Sequence, residues 1–172
     1  MARVVGIDPG VAATGYAVVD LEELSWLLLR EAGVWRTPPG PLERRLELLY
    51  ARLLGLLRRH RPACVVVEDL YAHYRHPRTA ILMGHARGVV YLAAARAGAP
   101  VHSLPASRVK KALTGRGDAS KRQVLRMAEA MAGPGADLRS HHAADALALA
   151  LCYALERGRE AAARLQEAGG RP

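Results

Sequence analysis

Two short runs of β-branched residues open the chain, and they restrict its fold more than any other feature of the sequence. The runs are "RVVGID" and "TGYAVVD", and the link between them is "PGVAA". Such a spacing predicts a hairpin of two antiparallel strands. A third strand is expected around "LSWLLLREAGVW". The N-terminal segment therefore predicts a three-stranded antiparallel sheet.

Helices and strands alternate after the prolines of "TPPGP". The leucines of "LERRLELLYARLLGLLRRH" recur at helical spacing, and "ACVVVED" is typical of a strand buried on both faces. We expect further helices over about 78–97, 106–113 and 119–132, a strand at "PVHSL", and a last helix that begins at Ser140 and ends at Gly158. This order predicts an α/β fold with a mixed five-stranded sheet, three antiparallel strands and then parallel strands, flanked by helices.

The length of 172 residues suits one well-buried domain, which we place at residues 1–157, followed by a flexible C-terminal tail at 158–172. We expect this tail to form a frayed helix and then to be disordered. Apolar runs stay below the ~18 residues of a membrane span, and no signal peptide is recognisable before the first strand. We therefore expect a cytoplasmic protein with no membrane partner. Cys64 and Cys152 lie in apolar segments, which predicts two buried thiols.

The net charge of +9 is unevenly distributed, because no Asp or Glu occurs between Tyr71 and Gly117. A cationic stretch of this length favours a polyanionic partner, of which nucleic acid is the commonest. The alternative is charge that serves solubility in an arginine-rich protein, since only three of the 25 basic residues are Lys.

Three carboxylates stand where apolar segments end: Asp8 after the first strand, Glu68 after the fourth, and Asp145 near the start of the last helix. Such ends converge in α/β folds, and carboxylates in one pocket raise one another's pKa unless a cation binds between them. Oxygen ligands favour magnesium or manganese. His142, three residues before Asp145, faces the same way on a helix and can act as a fourth ligand or a proton acceptor. Each residue alone also fits an ordinary turn, ion pair or helix start; their joint placement favours the metal site.

Five segments also carry a family resemblance. They are "GIDPGVAATGYAVVD", "VVVEDLY", "GHARGVV", "PASRVKKALTGRGDASKRQV" and "HHAADALALA". In this order they resemble the signatures of the RuvC family of Holliday-junction resolvases, within the ribonuclease H-like superfamily of metal nucleases. The resemblance implies an endonuclease that resolves four-way DNA junctions by paired symmetrical nicks in recombination and repair. It also implies two Mg²⁺ ions in each active site, with Mn²⁺ as a substitute.

The resemblance gives catalytic and metal-binding roles to Asp8, Glu68 and Asp145. His142 stands where most family members have Asp, so it is expected to take the fourth position, and the exchange changes the local charge by one unit. Whether His142 serves as a metal ligand or as a general base is left open by the sequence.

DNA contacts are expected in two basic and aromatic segments. By resemblance, Tyr71 stacks on a base at the opened junction, with Tyr74 as the alternative, and Lys110 and Lys121 contact phosphates near the cut. Composition alone adds four further candidates, Arg75, Lys111, Arg116 and Arg122.

The resemblance implies a homodimer, whose twofold symmetry matches the two equivalent strands of a four-way junction. The helix that contains "RTAILMGHARGVVYLAAARA" is the candidate dimer contact, because it is too apolar to be covered on one side only.

The sequence leaves open the preferred cleavage sequence. It also leaves open docking on branch-migration proteins of the RuvA and RuvB type. Two competing hypotheses remain: a fragment of an actin-like or sugar-kinase-type ATPase, whose members also start with "GIDxG", and a non-catalytic junction-binding module.

Overall fold

The computed structural model describes residues 2–21, 27–69, 77–132, 138 and 140–169. The side chains of residues 77 and 161–169 are not described. Five strands and five helices lie in the described part of the chain. The elements are β1 (Ala2–Asp8), β2 (Ala13–Leu21), β3 (Leu27–Arg36), α1 (Leu42–His60), β4 (Cys64–Glu68), α2 (Pro77–Ala97), β5 (Val101–Leu104), α3 (Ala106–Thr114), α4 (Lys121–Ala132) and α5 (His141–Gly169).

The strands form one mixed sheet in the order β3-β2-β1-β4-β5. The first three strands pair antiparallel, and β4 lies parallel to both β1 and β5. The link between β1 and β2 is closed by Thr14, whose hydroxyl donates to the Gly10 carbonyl at 2.7 Å and accepts from the Gly10 amide at 3.3 Å. The predicted hairpin, sheet and helix order are therefore confirmed.

The two faces of the sheet bury different side chains, as the two-residue period of a strand requires. Val5 and Ile7 of β1 pack with leucines of α1 and with the inner side of α2. Val4 of β1 and Val66 of β4 face the other way, into a larger cluster formed with α3, α4 and α5. Both Cys64 and Cys152 are buried free thiols in that larger cluster, as predicted.

Helix α5 lies unusually close to β1 and β2, because two glycines leave room for its backbone. A Cβ atom on Gly6 would collide with the carbonyl oxygen of Ala146, and a Cβ atom on Gly15 would collide with that of His142. The helix therefore packs backbone against backbone at the carboxyl end of β1. This close approach fixes the distance between the sheet and the first turns of α5.

The predicted stop of the last helix at Gly158 is wrong, because α5 continues through it to Gly169, over the segment for which a frayed helix was expected. A glycine inside a helix costs only about 1 kcal/mol relative to alanine. The segment "REAAARLQEA" after it consists of strong helix formers, and Arg157 and Glu160 form an ion pair across Gly158 at 2.8 Å.

Within the described residues, no helix is sufficiently long and apolar to span a membrane.

Candidate active site

Asp8 and Glu68 lie side by side at one edge of the sheet as a result of strand register. β1 and β4 run parallel with Ile7 opposite Val67, so Asp8 and Glu68 are the next residues on the two strands. Both continue the even-numbered series that faces α5, since Val4 and Val66 belong to the cluster on that face. The two carboxylates are therefore directed toward the N-terminal turns of α5.

His142 and Asp145 of α5 complete the cluster from above the sheet. The His142 Nδ1 atom lies 2.6 Å from Asp8 Oδ2, which joins the first turn of α5 to the end of β1. Asp145 Oδ2 accepts a hydrogen bond from Lys121 Nζ at 2.6 Å. Asp145 is tolerated on an apolar helix because an ammonium group meets it at the surface.

The electrostatics of the site reflect three carboxylates near one another. Burial raises the pKa of Asp8, and repulsion from Asp145 raises it further, against the opposing hydrogen bond from His142. Burial also raises the pKa of Glu68, with added repulsion from Asp8 and Asp145. The hydrogen bond from Lys121 to Asp145 raises the pKa of that ammonium group, although burial acts in the opposite direction. The pocket therefore favours the binding of positive charge.

The donor set suits a hard divalent cation, since carboxylate oxygens and a neutral imidazole are ligands that magnesium or manganese accepts. In the described side chains, no group of three or more His, Cys, Asp or Glu residues is gathered closely enough to hold one ion in its present conformation. Instead, two nitrogen groups approach the carboxylates: the imidazole of His142 at Asp8 and the ammonium of Lys121 at Asp145. These partners occupy the positions where a cation would compensate the same charges.

Comparison with known proteins identifies the family. The family model "Crossover junction endodeoxyribonuclease RuvC" matches residues 4–153. The chain belongs to the RuvC family. The crossover junction endodeoxyribonuclease RuvC of Rhodopirellula baltica is 43% identical over 150 residues, which cover 87% of this chain and 84% of that protein. The corresponding protein of Rubrobacter xylanophilus is 42% identical over 160 residues, 92% of this chain and 88% of that protein.

A solved RuvC structure has the same fold. The structure of Thermus thermophilus RuvC in complex with a Holliday junction substrate superposes with a TM-score of 0.86 at 37% identity, and covers 93% of this chain and 97% of that one. The ribonuclease H-like fold inferred from the sequence is thereby confirmed. All four of the predicted catalytic residues fall inside the segment that the RuvC family model matches.

The predicted DNA contacts of this RuvC-family chain fall on different parts of the structure. Lys110 and Lys111 lie on α3, and Arg122 lies exposed on α4 next to Lys121. Arg116 follows α3 and pairs with Asp118 through two hydrogen bonds of 3.0 and 3.1 Å, both side chains being exposed. Three candidates, Tyr71, Tyr74 and Arg75, lie outside the described residues, so their roles stay predictions.

Two features of the site escaped the sequence reasoning. The first is the pairing of Lys121 with Asp145, because the sequence associated Lys121 with phosphate and Asp145 with metal. The second is Arg87, which donates to the backbone carbonyl of Glu68 from the opposite face of the sheet. The signature "GHARGVV" contains Arg87, but its spacing does not indicate which strand end its side chain reaches.

Proposed function

We propose that this protein is a metal-dependent endonuclease that resolves four-way DNA junctions by paired symmetrical nicks, in homologous recombination and repair. The observation that carries the proposal is that Asp8 contacts His142, lies beside Glu68 at the sheet edge, and is near enough to Asp145 for the two charges to repel. Its relatives of about 40% identity are named crossover junction endodeoxyribonucleases, and the Thermus thermophilus protein was solved with a Holliday junction. Both facts support a four-way junction as the substrate.

We assign Asp8, Glu68 and Asp145 as ligands of divalent cations, with His142 as the fourth ligand. Mg²⁺ is the expected metal, Mn²⁺ its substitute, and two ions serve each active site. When bound, such ions supply an activated water and neutralise charge on the scissile phosphate and the leaving oxygen. The raised pKa values of Asp8 and Glu68 support the assignment, because burial and the repulsion among the carboxylates both favour a cation beside them.

Each of the chain's own residues then has a distinct task. The hydrogen bond between His142 and Asp8 orients the carboxylate at the end of β1. Lys121 neutralises Asp145 in the absence of DNA, and it becomes free to contact a phosphate once other cations compensate that carboxylate. Lys110, Lys111, Arg116 and Arg122 supply positive charge on α3, α4 and the turn between them, where a DNA backbone can lie.

We further propose that the protein works as a homodimer through the outer side of α2. Ile81 is 60% exposed and Leu92 is 52% exposed on this helix, beside Leu82. A single apolar side chain at the surface is ordinary, whereas several on one helix favour a partner surface. Sedimentation velocity tests the proposal. The double variant Ile81→Glu, Leu92→Glu should be monomeric, and persistence of dimers would exclude this surface.

We place the protein in the cytoplasm with its DNA. Docking of RuvA- and RuvB-type proteins stays a prediction.

A labelled mobile four-way junction tests the proposed activity directly. The wild-type protein should produce paired symmetrical nicks with Mg²⁺ or Mn²⁺, and linear duplex of the same sequence serves as the control substrate. Turnover of ATP without nicking would indicate the kinase-like alternative. Tight junction binding without cleavage at any metal concentration would indicate a non-catalytic binding module.

A further inference from the structure

Arg87 lies on α2, on the opposite side of the sheet from α5, and its guanidinium reaches the end of β4. Its side chain is 12% exposed. Nη1 donates a hydrogen bond to the backbone carbonyl oxygen of Glu68, and Nη2 donates to Ser103 Oγ of β5 at 2.6 Å. Nη2 also lies 3.6 Å from Asp69 Oδ1. One nearly buried cation thus connects the last residue of β4, the residue after it, and the neighbouring strand.

The strand end that Arg87 contacts has little other support from the sheet. Glu68 is the last residue of β4 in register with β5, opposite Leu104, and the Asp69 amide donates the final hydrogen bond of this pairing to the Leu104 carbonyl at 2.9 Å. Ends of short strands open locally with small free energies. A nearly buried guanidinium, bonded to the Glu68 carbonyl from the α2 side of the sheet, opposes that opening, while the Glu68 side chain faces α5.

Tyr91 connects this contact to the surface of α2. Its hydroxyl accepts a hydrogen bond from Arg87 Nη2 at 3.0 Å and lies 2.9 Å from Ser103 Oγ. The Arg87 Cζ atom is 5.3 Å from the centre of the Tyr91 ring. The ring itself is partly exposed, on the same helix as Ile81 and Leu92. The polar group of Tyr91 therefore holds the guanidinium, and its apolar ring belongs to the outer side of α2.

We propose that Arg87 is a positioning residue that fixes Glu68 in the active site, and that Tyr91 holds Arg87 in place from the outer surface of α2. The proposal rests on the proposed function, because Glu68 is assigned there as a metal ligand. The shape of the side chain supports it: a planar guanidinium can serve the Glu68 carbonyl, Ser103 and Tyr91 together, which the single ammonium of a lysine does less well. Functional groups must be held within about 0.5 Å of their working positions, so a loosened strand end is expected to impair the site.

Amide hydrogen exchange on the full-length, metal-free protein tests the positioning without reference to activity. In Arg87→Met, the Asp69 amide should exchange roughly tenfold faster or more, because the strand end opens more often. The Val65 amide donates to the Pro100 carbonyl at 2.9 Å at the other end of β4, and it should keep its wild-type rate. Arg87→Lys should fall between wild type and Arg87→Met, and Tyr91→Phe should show a smaller change of the same sign.

Cleavage kinetics provide the second readout, with Arg58→Met as a matched control that removes one exposed positive charge from the last turn of α1. Arg87→Met should raise the Mn²⁺ concentration for half-maximal cleavage by about tenfold, because a metal ligand loses its support. Arg87→Lys should raise the same concentration by less. Junction affinity in metal-free buffer should change by less than about threefold, since phosphate contacts supply most of it. The control should match wild type in both measurements.

Equal acceleration of the Asp69 and Val65 amides, or an unchanged Asp69 amide, would overturn the proposal and leave Arg87 with a role in overall stability alone. If Arg87→Met does not fold, Tyr91→Phe and Arg87→Lys decide by the same comparison. Failure of the wild-type protein to cut junctions would contradict the proposed function instead, and the exchange rates would still decide whether Arg87 holds the strand end.

Discussion

The His142 Nδ1 atom lies 2.6 Å from Asp8 Oδ2, so residues 134 positions apart in the sequence share one hydrogen bond at the carboxyl edge of the sheet. The contact connects the first turn of α5 to the last residue of β1. It brings an imidazole to a carboxylate at the position where most RuvC relatives are expected to have Asp. His142 is therefore in position to act on Asp8, either as a metal ligand or as a proton acceptor.

We predict that His142→Asp retains cleavage and binds magnesium at least as tightly as wild type, because it restores an oxygen ligand and adds negative charge. His142→Ala should lower the cleavage rate with Mg²⁺ by about tenfold or more, because the loss of a residue that only supports a metal ligand already costs about 10- to 100-fold. Single-turnover rates over a Mg²⁺ titration measure both effects. A wild-type rate in His142→Ala would leave His142 with no part in catalysis.

Lys121 is predicted to affect metal and DNA in opposite directions. Lys121→Met removes the ammonium group that lies 2.6 Å from Asp145, so Mn²⁺ should bind the DNA-free protein more tightly. The same variant should bind junctions more weakly, with the slope of log affinity against log salt reduced by about one, as for one lost phosphate contact. Calorimetry and junction titrations at several salt concentrations measure the two effects.

Arg126→Met is the control for Lys121, since it removes a positive charge from an exposed position on the same helix. It should leave the metal affinity unchanged. Weaker metal binding in Lys121→Met would contradict the view that Lys121 competes with a cation at Asp145.

Gly15 is predicted to be indispensable for the site although it carries no functional group. Gly15→Ala places a Cβ atom against the backbone carbonyl of His142, so α5 must move away from the sheet and carry His142 from Asp8. Overpacking of this kind costs about 1–3 kcal/mol. We expect a lower unfolding temperature and a loss of cleavage larger than the loss of junction affinity.

The control is Gly55→Ala on α1, where a Cβ atom meets open space and the helix should gain up to about 1 kcal/mol. The two alanine variants should therefore shift thermal stability in opposite directions. Normal cleavage by a stably folded Gly15→Ala would show that α5 need not lie so close to β2.

Asp20 is predicted to make the fold sensitive to acid. Its side chain is buried and accepts hydrogen bonds of 2.6 Å from Nε of both Arg3 and Arg30. The bond from Arg3 holds the pKa of Asp20 below its ordinary value, with Arg30 adding to the effect and burial opposing it. A lowered pKa in the folded state means that this stabilisation is present above the unfolded pKa, near 3.9, and disappears as the pH falls through the folded pKa.

Asp20→Asn should therefore lower the free energy of unfolding at pH 7 by about 2–3 kcal/mol. The expected loss is smaller than for a fully buried ion pair, because the side chains of Arg3 and Arg30 both reach solvent. The difference from wild type should shrink as the pH is lowered below about 4. Urea unfolding at pH 7 and at pH 3.5 provides the comparison. An equal difference at both values would contradict the assignment of the ion pairs.

The sequence predicted the fold well where periodicity and register act together. The β-branched runs determined the hairpin, and the parallel pairing of β1 with β4 brought Asp8 beside Glu68 as expected. It failed at Gly158, because local signals cannot show that strong helix formers on both sides outweigh one glycine. The sequence also did not predict the hydrogen bond from Arg87 to the Glu68 carbonyl, because a contact from a helix to the end of a strand leaves no periodic pattern in the chain.

The carboxylates themselves provide the most direct test of the proposed active site. Asp8→Asn, Glu68→Gln and Asp145→Asn should each abolish paired nicking of a four-way junction with Mg²⁺ or Mn²⁺, while junction affinity in metal-free buffer stays within about threefold of wild type, because phosphate neutralisation supplies most of that affinity. Glu129→Gln, an equivalent change at an exposed position on α4, should cut normally. Full cleavage by one of the three variants would show that its residue is not needed for catalysis. Full cleavage by all three would contradict the proposed active site.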